Sequence, residues 1–473
     1  MQTACNSQPL LFQPQMRRQV QAAFDAGRIS SNGGLLLLRE VSEGMGFFEQ
    51  IADCFTDHRD ARWTEHSVAE LVAQRILGIA CGYEDLNDHD VLRDDPLLAL
   101  AVGKRDVFGE NRARKRDKGR PLASHSTLNR IELAPAVLDD SRRDLKVVHH
   151  PEAIEDLLVD LFLDDHKQPP DELVFDLDAT HDPLHGQQEG RFFHGYYDCY
   201  CYLPLFIFCG DHLLAAKLRP SNQDDAGGAL DEVRRIVAQV RHRWPDVRII
   251  LRGDAGFCRQ PLMQWCEETA GVDFVFGIPR NQRLEPRIAQ EMAAMKAQVE
   301  ATGRAARCFK ELTYKTRTSW PYPRRVVAKA EHLVGKRNPR FVVTSLPIER
   351  MDARALYEDF YFARGDMENR IKEQQMGMFS DRLSAHTMRA NQLRLWFSSL
   401  AYVLVSALRR IGLAGTEMAR AQAWIIRDRL LKVGALVRQS VRRIRVSLSS
   451  SFPLQHVWAQ AVRQIHAAAP DVF

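Results

Sequence analysis

Between residues 172 and 279 the chain spells five short apolar runs, ELVFDLDAT, CYLPLFIFCG, HLLAAKLRP, VRIILRGDAGF and DFVFGIP, each bounded by turn residues. Runs of this length, rich in Val, Ile, Leu and Phe, read as strands. Two amphipathic stretches with helical periodicity, residues 228–244 and 260–269, fall among them. The resulting order is three strands, a helix, a strand, a helix and a strand. That order implies a mixed sheet covered by helices, and the expected fold class is α+β.

The flanks read differently. The first 150 residues are expected to be mainly helical: Ser67 and Glu70 form a capping-box pattern ahead of Val68, Leu71, Val72 and Ile76, and Asp95 followed by Pro96 marks a second helix start. Residues 103–120 carry eight Lys or Arg against three acids and read as a basic loop. Residues 281–346, with RVVAKAEHLV and RFVVTSL around the turn GKRNP, read as a strand-rich insertion. Helix returns at 351–379 and from 391 onward. These shifts divide the chain into 1–150, 151–280, 281–346, 347–390 and 391–473.

With 473 residues, 45% hydrophobic and 27% charged, the chain is long enough for several packed units. A net charge of +4 gives a nucleic-acid partner little support by itself, so the placement of the charge matters. The N-terminal sequence lacks an apolar stretch of signal-peptide length. The longest apolar run, Leu395 to Leu408, is broken by Ser398, Ser399 and Ser406 and ends at Arg409 and Arg410, which predicts a buried helix and no membrane span. Nine cysteines without a CxxC pair suggest a reducing cytoplasm. Cys199, Cys201 and Cys209, with His185 and His194 nearby, lack the spacing of a structural zinc site and read as strand-packed thiols.

Three acidic segments carry the chemistry. In LVFDLDAT, alternation puts Val174, Asp176 and Asp178 on one strand face and Leu173, Phe175 and Leu177 on the other. A carboxylate on a buried strand calls for a pairing or a cation; the alternative is that these acids lie beyond the strand end in solvent. Asp254, in IILRGDAGF, follows another strand, at the end where open α/β sheets place ligands, or else forms an Asx turn or helix cap. In YFARGDMENRIKEQQ, Tyr361, Arg364, Glu368, Lys372 and Gln375 share one face of an α-helix. A solvated charged face is the other reading of that stripe.

Together, FDLDATHDP with GQQEGRFFHGYYD, then RGDAGF, then YFARGDMENRIKE resemble the DDE transposases of bacterial insertion sequences, and are most similar to the group named insertion sequence thirteen-eighty. The last segment matches the family signature Tyr, two residues, Arg, three residues, Glu, six residues, Lys at Tyr361, Arg364 and Glu368, but Gln375 stands where the Lys is expected. Lys372, one turn nearer on the same helix, is the alternative for that role. The resemblance selects Asp178, two residues before Thr180, as the first acid and Asp254 as the second.

It further implies an RNase H-like core whose Asp178, Asp254 and Glu368 hold two Mg²⁺ ions, with Mn²⁺ as substitute, for strand cleavage and transfer. The implied partners are the terminal inverted repeats and target DNA, bound by a homodimer in a bacterial cytoplasm, nucleoid-associated when on DNA. Residues 1–150 would then serve DNA binding or dimerisation, and 151–280 with 347–390 would form the split core. For DNA contacts, Arg364 suits a phosphate, with a salt bridge to Glu368 as its alternative, and Tyr361 either touches the backbone or packs the helix. Trp320, in TSWPYP, is the candidate for an insertion aromatic that stacks on a displaced base. Residues 409–445 hold ten Lys or Arg and two acids, so Arg438, Arg442 and Arg443 are expected on basic helices that bind phosphates or on a solvated helix face. The rival readings are another RNase H-like nuclease, such as a resolvase, and a non-catalytic DNA-binding derivative.

Overall fold

The structure is a computed structural model that describes residues 9–138 and 144–468. The chain divides into two compact units, His150–Ser399 and Met1–His149 with Leu400–Phe473. The sequence reading of the first eight residues, and of 139–143 and 469–473, lies outside the described residues.

The His150–Ser399 unit is built on one nine-stranded sheet. Its strands are β1 (Glu172–Ala179), β2 (Leu205–Cys209), β3 (His212–Lys217), β4 (Arg248–Gly253), β5 (Val272–Ile278), β6 (Ala306–Tyr314), β7 (Arg324–Leu333), β8 (Lys336–Arg337) and β9 (Arg340–Thr344). They lie in the order β3-β2-β1-β4-β5-β9-β7-β6, with β8 paired to β7. The pairs β1–β2 and β2–β3 are antiparallel, while β1–β4 and β4–β5 are parallel. This is the RNase H-like arrangement: an antiparallel meander whose first strand also starts a parallel run.

Strand alternation explains why one side of the sheet is oily and the other carries acids. Leu173, Phe175 and Leu177 of β1 and Ile249 and Leu251 of β4 are buried against Val233, Ile236 and Val240 of the helix Ala229–Arg243. Each such side chain contributes about 1.5–3 kcal/mol by leaving water. The opposite side has a smaller core of Ile250, Val275, Val327 and Val342, closed by Leu346, Leu356 and Tyr357. Asp176 and Asp178, with Arg252, belong to this second side by alternation. The helical stretch 353–377 therefore covers the face that displays the carboxylates.

The stretch 281–346 does contain the expected strands, together with a helix, Ala289–Thr302. It does not form a sheet of its own: β9 pairs antiparallel with β5, from Val275↔Thr344 to Ile278↔Phe341, and so extends the core sheet. Phe341, Val342 and Val343 are buried on both faces, which suits an interior strand.

In the Met1–His149 and Leu400–Phe473 unit, the helix Val68–Ala80 starts with Ser67 and Glu70 in a reciprocal capping box, and Asp95 caps Pro96–Ala101 by accepting from the amides of Leu97 and Leu98. The flanks depart from helix in two places, the second against the helix expected from 391 onward. Residues 10–22 form an exposed hairpin, and within 409–445 the segment from Ala435 departs into a hairpin, Ala435–Gln439 with Ile444–Leu448, joined by Ile29–Ser30. Ala435 and Val437 alternate inward there, a period of two that favours a strand. Among the described residues no helix is long and apolar enough to cross a membrane.

Candidate active site

The three acids come from three differently made supports. Asp178 stands near the end of β1, opposite Phe206 of β2. Asp254 follows the last residue of β4, Gly253, which pairs with Leu177. It caps the short turn Ala255–Phe257 by accepting from the Gly256 amide at 2.8 Å. Both acids thus sit at the C-terminal ends of adjacent parallel strands, and both line one cavity of about 410 Å³. A larger cavity of about 630 Å³ lies at the opposite strand ends, and its acids Asp171, Glu172 and Asp246 share it with Arg243 and Arg248.

Glu368 approaches from the helical stretch above. Arg364 bridges it to the strands: one guanidinium nitrogen lies 3.4 Å from Asp178 Oδ2 and the other 3.3 Å from Glu368 Oε1. The salt bridge expected as the plainer role of Arg364 is therefore present, and it reaches Asp178 as well. Burial pushes the Asp178 carboxyl up to about 7; Asp254 and Glu368 add to the rise, while Arg364 and the Ala179 amide oppose it. Burial opposes the Arg364 charge, yet Asp178, Tyr361, Asp254 and Glu368 raise its pKa overall. Among the described residues no three His, Cys, Asp or Glu side chains stand close enough to hold an ion together. The reason is visible in Glu368, whose side chain is 52% exposed and turned to Arg364. The donor set of carboxylate oxygens is the chemistry a hard divalent cation takes, with Asp178 and Asp254 lining one cavity and Glu368 linked to Asp178 through Arg364.

Tyr361 packs where only glycine allows it. A Cβ on Gly277 of β5 would fall 2.6 Å from the Tyr361 hydroxyl and 3.1 Å from the Ala255 amide. Burial raises the pKa of that phenol, as does Asp254, against Arg364.

The expected single α-helical face of Tyr361, Arg364, Glu368, Lys372 and Gln375 does not hold. The stretch changes pitch: Leu356–Tyr361 is π-helical, Phe362–Arg364 is 3-10, Gly365–Lys372 is α and Glu373–Gly377 is π again. A π turn inserts a residue into the repeat and rotates the side chains beyond it. Lys372, the last residue of the α segment, is exposed. Gln375 turns inward, its amide donating to Asp182 Oδ1 at 2.9 Å and to Thr180 Oγ1 at 3.3 Å. Asp182 is buried, and burial, with Asp381 adding, pushes its carboxyl up to about 7 despite Gln375.

Asp176 departs from Asp178 in its partners. Its two oxygens accept from Arg252 Nε at 2.5 Å and Nη2 at 2.8 Å, and Arg252 also donates to the Phe360 carbonyl, one residue before Tyr361. The registered pair Arg252↔Asp176 places the two side chains on one face. Sequence reasoning noted Asp176 and missed this partner, although Arg252 sits two residues before Asp254, directly after the apolar run Ile249–Leu251.

Trp320 is corrected. It is 4% exposed, meets Tyr314 edge-on at 5.7 Å and lies under the Arg324 guanidinium at 5.2 Å, so it is a core aromatic and offers no face to a base. Arg438, Arg442 and Arg443 are corrected from helix to hairpin, on which they are exposed and Arg438 directly opposes Arg445. In the basic loop, Lys104 pairs with Glu70 and Arg112 with Glu65, which neutralises part of its charge. Two further acids, Asp224 and Asp225, line the cavity with Asp178 and Asp254. Burial and Asp254 raise the Asp225 carboxyl. Their loop is fastened by the buried Arg219, which donates to the carbonyls of Leu203, Asp225 and Gly227. The signal in the sequence was the acidic pair in SNQDDAGG after a strand.

No curated protein matched the chain. Among solved structures, a cryo-EM structure of the piggyBac transposase synaptic complex with hairpin DNA aligns with a TM-score of 0.39 and 11% identity, covering 93% of this chain and 85% of that one. A family profile described as "Transposase DDE domain group 1" matches residues 12–470. Since that match takes in nearly the whole chain, the protein belongs to the transposase DDE domain family, group 1.

Proposed function

We propose that the protein binds the terminal inverted repeats of an insertion sequence and cuts and rejoins DNA there, with Asp178, Asp254 and Glu368 as the catalytic acids. The observation that carries this reading is the convergence of Asp178 and Asp254 on one cavity with Arg364 joining Asp178 to Glu368. Proteins of this family work with divalent ions. The three carboxylates would hold Mg²⁺, with Mn²⁺ as substitute, and the bound ions supply activation of the attacking oxygen and neutralisation of the leaving one. Arg364 exchanges its bridge for a phosphate oxygen, which its planar donors match, and in doing so releases Glu368 toward the two aspartates. Tyr361 braces the helix over β4 and β5 and offers its hydroxyl to the DNA backbone. Lys372, exposed on the helix, contributes a further phosphate contact. The spacing of Tyr361, Arg364 and Glu368 supports membership of the insertion sequence thirteen-eighty group, with Gln375 departing from its pattern, and two copies would pair the two ends as a homodimer.

The test is Asp254→Asn. Strand cleavage is expected to vanish while binding to the element's ends stays within about twofold, because charge is removed without loss of packing. Cleavage and gel-shift assays on one preparation decide it, and cleavage at the wild-type rate removes Asp254 from the site.

A further inference from the structure

The strands β1 and β2 are joined by an excursion that contains a small sheet, Phe192–His194 paired with Cys199–Tyr202 and the latter with Asp182–Pro183. A soluble surface ordinarily scatters its large aromatics singly. Here, of nine large aromatic side chains exposed among the described residues, four fall within residues 192–200: Phe192, Phe193, Tyr196 and Tyr200, the last two 85% and 44% exposed. Phe193 and Tyr200 are registered partners on one face, their rings edge-on at 5.5 Å, and the Arg191 guanidinium lies 3.8 Å from the Tyr200 ring centroid. At the turn, Tyr196 and Tyr197 form walls of the cavity that holds Asp178 and Asp254, and His181 stacks on Tyr197 at 4.1 Å.

A run of exposed rings with a cation among them, leading into a site of phosphodiester chemistry, matches what unpaired nucleotides need: π faces for bases and a positive charge for the backbone. A duplex buries its base faces and has no use for it. An aliphatic protein partner would call for Leu, Ile or Val, and the hairpin from Arg191 to Tyr202 contains none. We propose that this hairpin is a stacking platform for unpaired DNA nucleotides beside the scissile phosphate, with Phe193, Tyr196 and Tyr200 as the stacking faces and Arg191 as the backbone contact. The inference rests on the transposase reading and extends it to substrate form.

Because Phe193 and Tyr196 are exposed, Phe193→Ala and Tyr196→Ala leave the core intact, which thermal unfolding checks. Full-length protein is titrated with oligo(dT) of roughly 20 nucleotides and with a paired duplex of equal length, in the presence of a divalent ion. Each substitution is expected to weaken oligo(dT) binding by about 5- to 150-fold, the equivalent of one lost base stack. Duplex affinity should stay within about twofold, and Tyr196→Trp should restore the single-strand affinity. Unchanged oligo(dT) binding, or equal losses on both probes, overturns the platform. If wild type and variants alike cleave end DNA and bind oligo(dT) equally, the platform fails and the transposase reading stands; wild-type protein that binds neither probe overturns both. Variants that keep oligo(dT) affinity but lose self-association in sedimentation assign the surface to a second copy and also overturn it.

Discussion

Replacing Asp176 by Asn tests whether the two acids of β1 have separate jobs. Asp176 and Arg252 form a bidentate pair, with side chains 8% and 9% exposed, and burial pushes the Asp176 carboxyl up even against that guanidinium. Removing one charge of such a pair strands the other in the interior, at a cost of about 3–5 kcal/mol. The His150–Ser399 unit has 250 residues, for which an unfolding entropy near 2.1 cal/mol/K per residue converts that loss into a melting temperature about 6–10 °C lower. Differential scanning calorimetry and urea unfolding read it directly. The companion variant Asp176→Leu with Arg252→Met removes both charges and should recover most of the stability. It leaves the Phe360 carbonyl without its donor, so cleavage in the stable double variant should remain about 10- to 100-fold down, as for groups that position others. A single variant within about 1 kcal/mol of wild type, or a double variant no more stable than the single, refutes the separation of roles.

Other outcomes rest on buried ionisable groups and on the basic hairpin. Asp182, held near 7 when folded against an ordinary 3.8, binds its proton more tightly in the folded state, so it weakens folding as pH rises from about 4 to 7. Asp182→Asn should therefore stabilise at pH 8 by at most about 4 kcal/mol and do little near pH 4; equal shifts in urea midpoint at both would sink this. His66 and His89, each pushed down to about 3 by burial, stay neutral when folded, so stability present above about pH 6.5 falls with acidification toward 3, at about 1.4 kcal/mol per pH unit for each. Replacing either by Asn should flatten that slope by about one proton in unfolding titrations. Neutralising Arg438, Arg442 and Arg443 should weaken binding to all DNA sequences and shallow the log affinity against log salt line, and an unchanged slope returns the hairpin to plain surface.

The succession of strands and helices along the chain, with Asp178 on one strand and Asp254 just after another, was legible because apolar runs, glycine turns and period-two alternation are local signals. Asp254 illustrates the overlap of readings: it caps a turn, as the plain reading held, and also lines the acid cavity. The features that stayed hidden depended on pitch and partners. Nothing local distinguishes a π turn from an α turn in KEQQMG, so the inward swing of Gln375 was invisible. Trp320 looked available in TSWPYP because its neighbours are turn residues, yet Tyr314 and Arg324, six and four residues away on the two flanking strands, enclose it. The basic C-terminal segment was read by charge, which does not report secondary structure, while the alternation of Ala435 and Val437 did.

The pairing of Ile278 with Phe341 means that residues 279–340, which add β6, β7 and β8 to the same sheet, begin and end on adjacent strands across a single rung. A detour whose two ends are neighbours can lengthen or shrink at small entropic expense, since closure varies only logarithmically with its length. The spacing of 114 residues between Asp254 and Glu368 therefore carries no geometric information. It measures the size of a graft, and relatives with grafts of other sizes could keep the same three acids in place.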